Sequence, residues 1–313
     1  MFGEIEGTSL NPVEVLNLQL INFSVTTSTG DAGALAGSIT NGSVSNVVAY
    51  NNKSYPATDN INITESGSGS AGGLIGSASS TNVTYSAAAL YVNSPSGNAG
   101  GLIGTSTGGT INASYSGGHT HGGEYKTEDM NVVGTTAGGL VGNSGTTTIT
   151  NCYSTCSVSG TTTGGLAGVA SGVINNCYCT GLVEGTTKGA FLGSQTGGST
   201  DGCYYFESIN MIPDPKDSKK TTYLSDVGQT SLSVNDMKPV DSDTTTYQGF
   251  FDQQPQRAIP YDNTLTKNYG GKYPLKTVSQ LADDSSITGL IATTHYGDWP
   301  KPAWEVFFVN EPA

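Results

Sequence analysis

Over the first two thirds of the chain the apolar residues come in short runs, not at helical spacing. Stretches rich in Ile, Val, Thr and Tyr are broken every few residues by Gly, Asn or Ser, as in Ile149-Thr150-Asn151-Cys152-Tyr153 and Ile174-Asn175-Asn176-Cys177-Tyr178. Branched and aromatic side chains suit a pleated, extended backbone, and Gly and Asn suit tight turns, so the pattern predicts strands. No 3.6-residue period competes with it.

One phrase occurs six times: Gly33-Ala34-Leu35-Ala36-Gly37, Gly72-Gly73-Leu74-Ile75-Gly76, Gly100-Gly101-Leu102-Ile103-Gly104, Gly138-Gly139-Leu140-Val141-Gly142, Gly164-Gly165-Leu166-Ala167-Gly168 and Gly189-Ala190-Phe191-Leu192-Gly193. Its central residues are 39, 28, 38, 26 and 25 positions apart, a unit of about 25 residues with insertions near 50–65 and 115–131. A second phrase, the Ile-to-Tyr run, follows with its tyrosine 12 or 13 residues after the central residue in the last four units, and Cys152, Cys177 and Cys203 recur at 25 and 26. Such a unit holds about three strands of five or six residues with their turns, one coil of a parallel β-helix. Coils stack about 4.8 Å apart, and parallel connections favour a right-handed winding.

Stacking turns each repeated position into a ladder. Leu74, Leu102, Leu140, Leu166 and Phe191 are expected as an apolar column. Cys152, Cys177 and Cys203 form a second inward column, with the adjacent tyrosines on the opposite face because strand side chains alternate. The phrase glycines serve either positive φ at a turn or close backbone approach. Asn151 and Asn176 suit a stacked turn. The in-register cysteines are read as buried free thiols, since side chains pointing the same way suit a disulfide torsion poorly.

These residues and spacings resemble the GLUG-motif repeats of bacterial surface proteins, over about residues 15–205 and best from 137 to 193. The resemblance implies a β-helical, non-catalytic segment of a large secreted, wall-attached or adhesin-like protein of a Gram-positive bacterium. It departs from the motif at the two insertions, at Gly33-Ala34 and throughout the C-terminal segment.

Composition divides the chain near residue 205: 38 of 44 glycines and all five cysteines precede it, while nine of 12 prolines and both tryptophans follow. The expected domains are therefore 1–205, the repeat region, and 206–313, a mostly β capping or accessory region that covers the open end of the stack. Net charge is −13, with 12 basic and 25 acidic residues and one arginine, Arg257. That balance excludes nucleic acid and anionic membrane surfaces as partners. No apolar run reaches the length of a spanning helix, and residues 1–30 show no signal peptide pattern.

Candidate chemistry is sparse. His119 and His121, with Glu124 close by, have spacing suited to a transition metal but lack a third firm ligand. Glu124, Glu128 and Asp129 are the one acidic cluster in the repeat region that a lyase or hydrolase could use. Near the C-terminus Tyr296, Trp299 and Trp304 form an aromatic group of the kind that stacks on sugars or anchors a protein. The reading is an extracellular, monomeric, cofactor-free surface segment for adhesion, presentation or use as a stalk, with a host glycan, mucin or protein as partner. A carbohydrate-active β-helix enzyme and a phage tail-spike-like protein are the alternatives.

Overall fold

The computed structural model describes residues 1–50, 62–117, 131–175, 177–179, 181–201 and 203–206, with strands Met211–Asp214, Asp217–Tyr223 and Thr230–Leu232. These residues are strands and turns; no helix occurs among them. The strands lie in an 18-stranded sheet, an 8-stranded sheet and one two-stranded pair. Every pairing in the two large sheets is parallel. The antiparallel exception joins Met211–Asp214 to Asp217–Tyr223.

Partners in the parallel ladders lie one sequence repeat apart. Ile103–Asn112 pairs with Ile75–Thr84 on one side and with Val141–Asn143 and Thr148–Thr150 on the other. A single chain of hydrogen bonds threads the central residues of the glycine phrase. Leu35 N–H donates to the Leu74 carbonyl, Leu74 to Leu102, Leu102 to Leu140, Leu140 to Leu166 and Leu166 to Phe191, all at 2.8–2.9 Å. Because every strand hands its backbone groups to the next repeat, the two large sheets satisfy their interior donors and acceptors without helices or long-range crossovers.

Four apolar columns fill the interior. Leu35, Leu74, Leu102, Leu140, Leu166 and Phe191 are fully buried. Beside them run Ala36, Ile75, Ile103, Val141, Ala167 and Leu192. Val44, Val83, Ile111, Ile149 and Ile174 form the third column, and Ile63, Val92, Val132, Val158 and Val183 the fourth. Each full burial is worth about 1.5–3 kcal/mol, so identical columns multiply a modest gain along the stack.

The phrase glycines are there for close approach alone: positive φ occurs at Gly30, Gly108, Gly109, Gly117, Gly145 and Gly198, none of them in the phrase. A Cβ on Gly138 would collide with the Val141 carbonyl and with the Ala167 backbone of the next repeat. The chain therefore folds back on itself around Leu140 more tightly than any side chain permits.

The tyrosines beside the cysteine column are buried: the rings of Tyr115 and Tyr153 are parallel within 1° and 5.0 Å apart, each partly covered by the ring of the neighbouring repeat. Part of each expected insertion keeps register with the ladders. Asn62–Glu65 pairs in the smaller sheet, and Tyr115–Ser116 keeps register with Tyr153–Ser154, leaving 51–61 and 118–130 outside the described residues. The ladder also continues past the compositional break at 205, since Tyr204, Tyr205 and Phe206 pair in parallel with Thr230, Ser231 and Leu232 at the repeat offset.

Candidate functional site

The inward column that contains Cys152, Cys177 and Cys203 begins as hydroxyls. Ser86 Oγ donates to the Thr84 carbonyl at 2.9 Å and Ser114 Oγ to the Asn112 carbonyl at 2.9 Å. Cys152 Sγ donates to the Thr150 carbonyl at 3.1 Å and Cys177 Sγ to the Asn175 carbonyl at 3.1 Å, with Cys203 Sγ to Asp201 at 3.4 Å. Three of these groups also accept from the preceding repeat: Ser86 Oγ from Val47 N–H, Ser114 Oγ from Ser86 N–H and Cys177 Sγ from Cys152 N–H. Thiol and hydroxyl thus hold the same two bonds at one corner. The residue before Ser86, Ser114 and Cys152 is left-handed, at Tyr85, Ala113 and Asn151, as is Asn46 before the aligned Val47, which frees those backbone groups for a side-chain partner. Asn151 is in the expected turn; Asn176 lies outside the described residues.

All five cysteines are buried and none is in a disulfide. Burial pushes the Cys156 thiol up to about 11 against the opposing bonds of Ser154 and Ser116. Burial, reinforced by the thiols on either side, raises Cys177 as well. Thiols so held are neutral at ordinary pH and poor nucleophiles, which suits packing and not catalysis.

A second polar constellation lies on the flank of the glycine phrase. Asp31 Oδ1 accepts from Ser70 N–H at 2.7 Å, Ser70 Oγ and Thr105 Oγ1 are 2.8 Å apart, and Asn98 Nδ2 donates to Thr105 Oγ1 at 2.9 Å. Asn98 and Thr105 are seven positions apart, yet the fold-back around Leu102 brings them into contact. Next to this seam Glu65 is completely buried, with Oε1 accepting from Gly67 N–H at 2.7 Å and Oε2 without a hydrogen-bond partner.

Of the candidates read from sequence, Leu74, Leu102, Leu140, Leu166, Phe191, Cys152, Cys177 and Cys203 fall in the interior columns. His119, His121 and Glu124, with Glu128 and Asp129, lie outside the described residues, as do Tyr296, Trp299 and Trp304. Among the described residues no three His, Cys, Asp or Glu side chains converge as a metal site. Sequence reasoning missed Ser86 and Ser114, whose signal is a small polar residue two positions after Thr84 or Asn112, as Cys152 follows Thr150. It also missed Glu65, whose burial no local pattern announces.

No family model matches the chain, and no curated protein matches it. A solved structure that is similar to it is that of a "putative immunoglobulin A1 protease" from Bacteroides ovatus, at 18% identity and a TM-score of 0.40. The match covers 74% of this chain and 65% of that one, so this chain spans just under two thirds of its length.

Proposed function

We propose that the chain is a parallel β-solenoid, right-handed, whose stacked repeats form a stiff segment of a bacterial surface or secreted protein, holding or presenting a binding element and doing no chemistry of its own. The observation that carries this reading is the unbroken hydrogen-bond thread from Leu35 to Phe191 with its in-register apolar columns. A stack in which each repeat touches only its neighbours resists bending and extends in proportion to repeat number. Six repeats at about 4.8 Å give a rise of roughly 29 Å. Apolar columns fill the interior, and burial keeps the Cys156 and Cys177 thiols neutral, so the described surfaces offer adhesion through their polar outward columns more readily than catalysis. Host glycans, mucins and proteins are the partners this reading names, with residues 206–313 as cap or binding element. The resemblance to GLUG-motif repeats points the same way.

The test is a glycan-array and mucin-binding screen of the full chain, run beside polysaccharide turnover assays. Saturable binding without turnover supports the reading. Turnover that disappears in Glu124→Gln, Glu128→Gln or Asp129→Asn sinks it and favours a carbohydrate-active enzyme. A stable trimer in solution, where a monomer is expected, favours a tail-spike-like protein.

A further inference from the structure

The corner that leads into the glycine phrase has two widths. Thr27 aligns with Glu65, and Ala32 with Ala71 and Ala99, so that five or six residues span the corner in the first three repeats, from Thr27, Glu65 or Ser94 to the aligned alanine. From Gly134 to Ala137, Gly160 to Thr163 and Gly185 to Lys188 the same corner takes three. The register shift falls between Ser94 and Asn98, where wide meets narrow.

Glu65 stands at the centre of the wide stretch. The residues at its position in the neighbouring repeats show what the corner itself requires. Thr27 Oγ1 accepts from Thr29 N–H at 3.2 Å and donates to the Thr29 carbonyl, closing its loop, and Ser94 Oγ donates to the Gly69 carbonyl at 2.8 Å. One small oxygen is enough for closure, and Glu65 Oε1 supplies it through Gly67 N–H. The second carboxylate oxygen is surplus to the loop, fully buried and unpartnered. A buried carboxylate with one oxygen unsatisfied is costly unless a positive charge compensates it. Lys188 is the one Lys or Arg whose side chain is described, and it is aligned with Thr163, several repeats away.

Main-chain carbonyls lie near this side chain: a Cβ on Gly67 would meet the Ser28 carbonyl and Glu65 Oε1, and one on Gly69 would meet the Gly30 carbonyl and the Glu65 carboxyl carbon. Both positions reject even a Cβ, so the two loops pack closely here. We propose that this corner, residues 27–31 with 65–70, binds one calcium ion through Glu65 Oε2 and main-chain carbonyls of the two loops, with Asp31 adding negative charge alongside. Calcium takes six to eight oxygens in irregular geometry and accepts backbone carbonyls freely, whereas magnesium demands a near-ideal octahedron that Gly-Ser loops do not pre-form. The ion ties the first repeat to the second at the stack's widest point. This inference is independent of the function proposed above.

The experiment is calorimetric titration of the chelator-treated full chain with calcium chloride, with magnesium chloride and matched potassium chloride as controls, on the unmodified protein and Glu65→Gln. The expected result is saturable calcium uptake that falls by one ion per chain in Glu65→Gln, leaving any uptake by other acidic segments unchanged. Equal uptake by both proteins, or none by the unmodified chain, overturns the proposal. Hydrogen exchange on the unmodified protein decides the case if Glu65→Gln does not fold. Calcium slows exchange at 27–31 and 65–70 if the site is real, and exchange there that is indifferent to calcium overturns it.

Discussion

From Glu65 to Ala71 the second repeat takes six positions to round a corner that the sixth repeat, from Gly185 to Lys188, rounds in three. The wide corner houses the hydrogen-bonded oxygens of Thr27, Glu65 and Ser94. The narrow one has glycine at the equivalent position: a Cβ on Gly160 would strike the Gly134 carbonyl, and one on Gly185 would meet Thr163 Oγ1. The corner ladder at 86, 114, 152, 177 and 203 divides the same way, with hydroxyls in the early repeats and thiols in the late ones. The interior columns do not change between the two regions. Stacking geometry is thus set by the apolar columns and the glycine phrase, and what varies is how much polar chemistry each repeat can house around that constant frame.

The largest break in this comparison is expected from Gly160→Ala. It forces backbone against backbone in a narrow corner and is expected to cost about 3 kcal/mol or more in urea denaturation, at the upper end of single-residue effects. Ser94→Ala at the wide corner, where only one hydrogen bond goes, is expected to lose about 1 kcal/mol. Equal losses would mean that the narrow corner can relax.

Alkaline pH separates the two regions next, because thiols ionise in an accessible range and hydroxyls do not. The Cys156 thiol is held at about 11 in the folded protein against 9.0 for an ordinary thiol. Its contribution is therefore fully present below pH 9 and is lost as pH rises from 9 to 11, where the unfolded chain ionises and the folded one does not. Two pH units correspond to about 3 kcal/mol, and Cys177, also raised, acts with the same sign. Urea denaturation from pH 8 to 11 should show this loss in the unmodified protein and a shallower one in Cys156→Ser.

The smallest effect probes whether sulfur matters in the ladder at all. Cys177→Ser places there the hydroxyl that Ser86 and Ser114 already use, and thermal unfolding should change by less than about 1.5 kcal/mol. Cys177→Ala deprives Cys152 N–H of its acceptor and should cost about 1–3 kcal/mol. If Ser and Ala behave alike, the ladder bond contributes nothing.

The all-β character, the repeat length and the interior leucine column were legible in the chain because stacking demands the same residue type at the same place in every repeat. A ladder writes its contacts into sequence as a period. The glycine phrase was legible as a repeat but not as to its cause, since positive φ and close approach select the same residue and only the carbonyl facing Gly138 distinguishes them. The stacking of Tyr115 on Tyr153 was not legible, because strand alternation assigns a side chain to a face and says nothing of the ring beside it.

What the chain determined alone is therefore whatever repeats: strand content, period, the Leu35-to-Phe191 column and the cysteines in register. What only the tertiary structure decided is whatever occurs once. The burial of Glu65, the contact of Asn98 with Thr105 across the fold-back, and the equivalence of Ser114 with Cys152 each depend on neighbours brought together from different repeats. A single residue carries no period, and its surroundings exist only when the stack has formed.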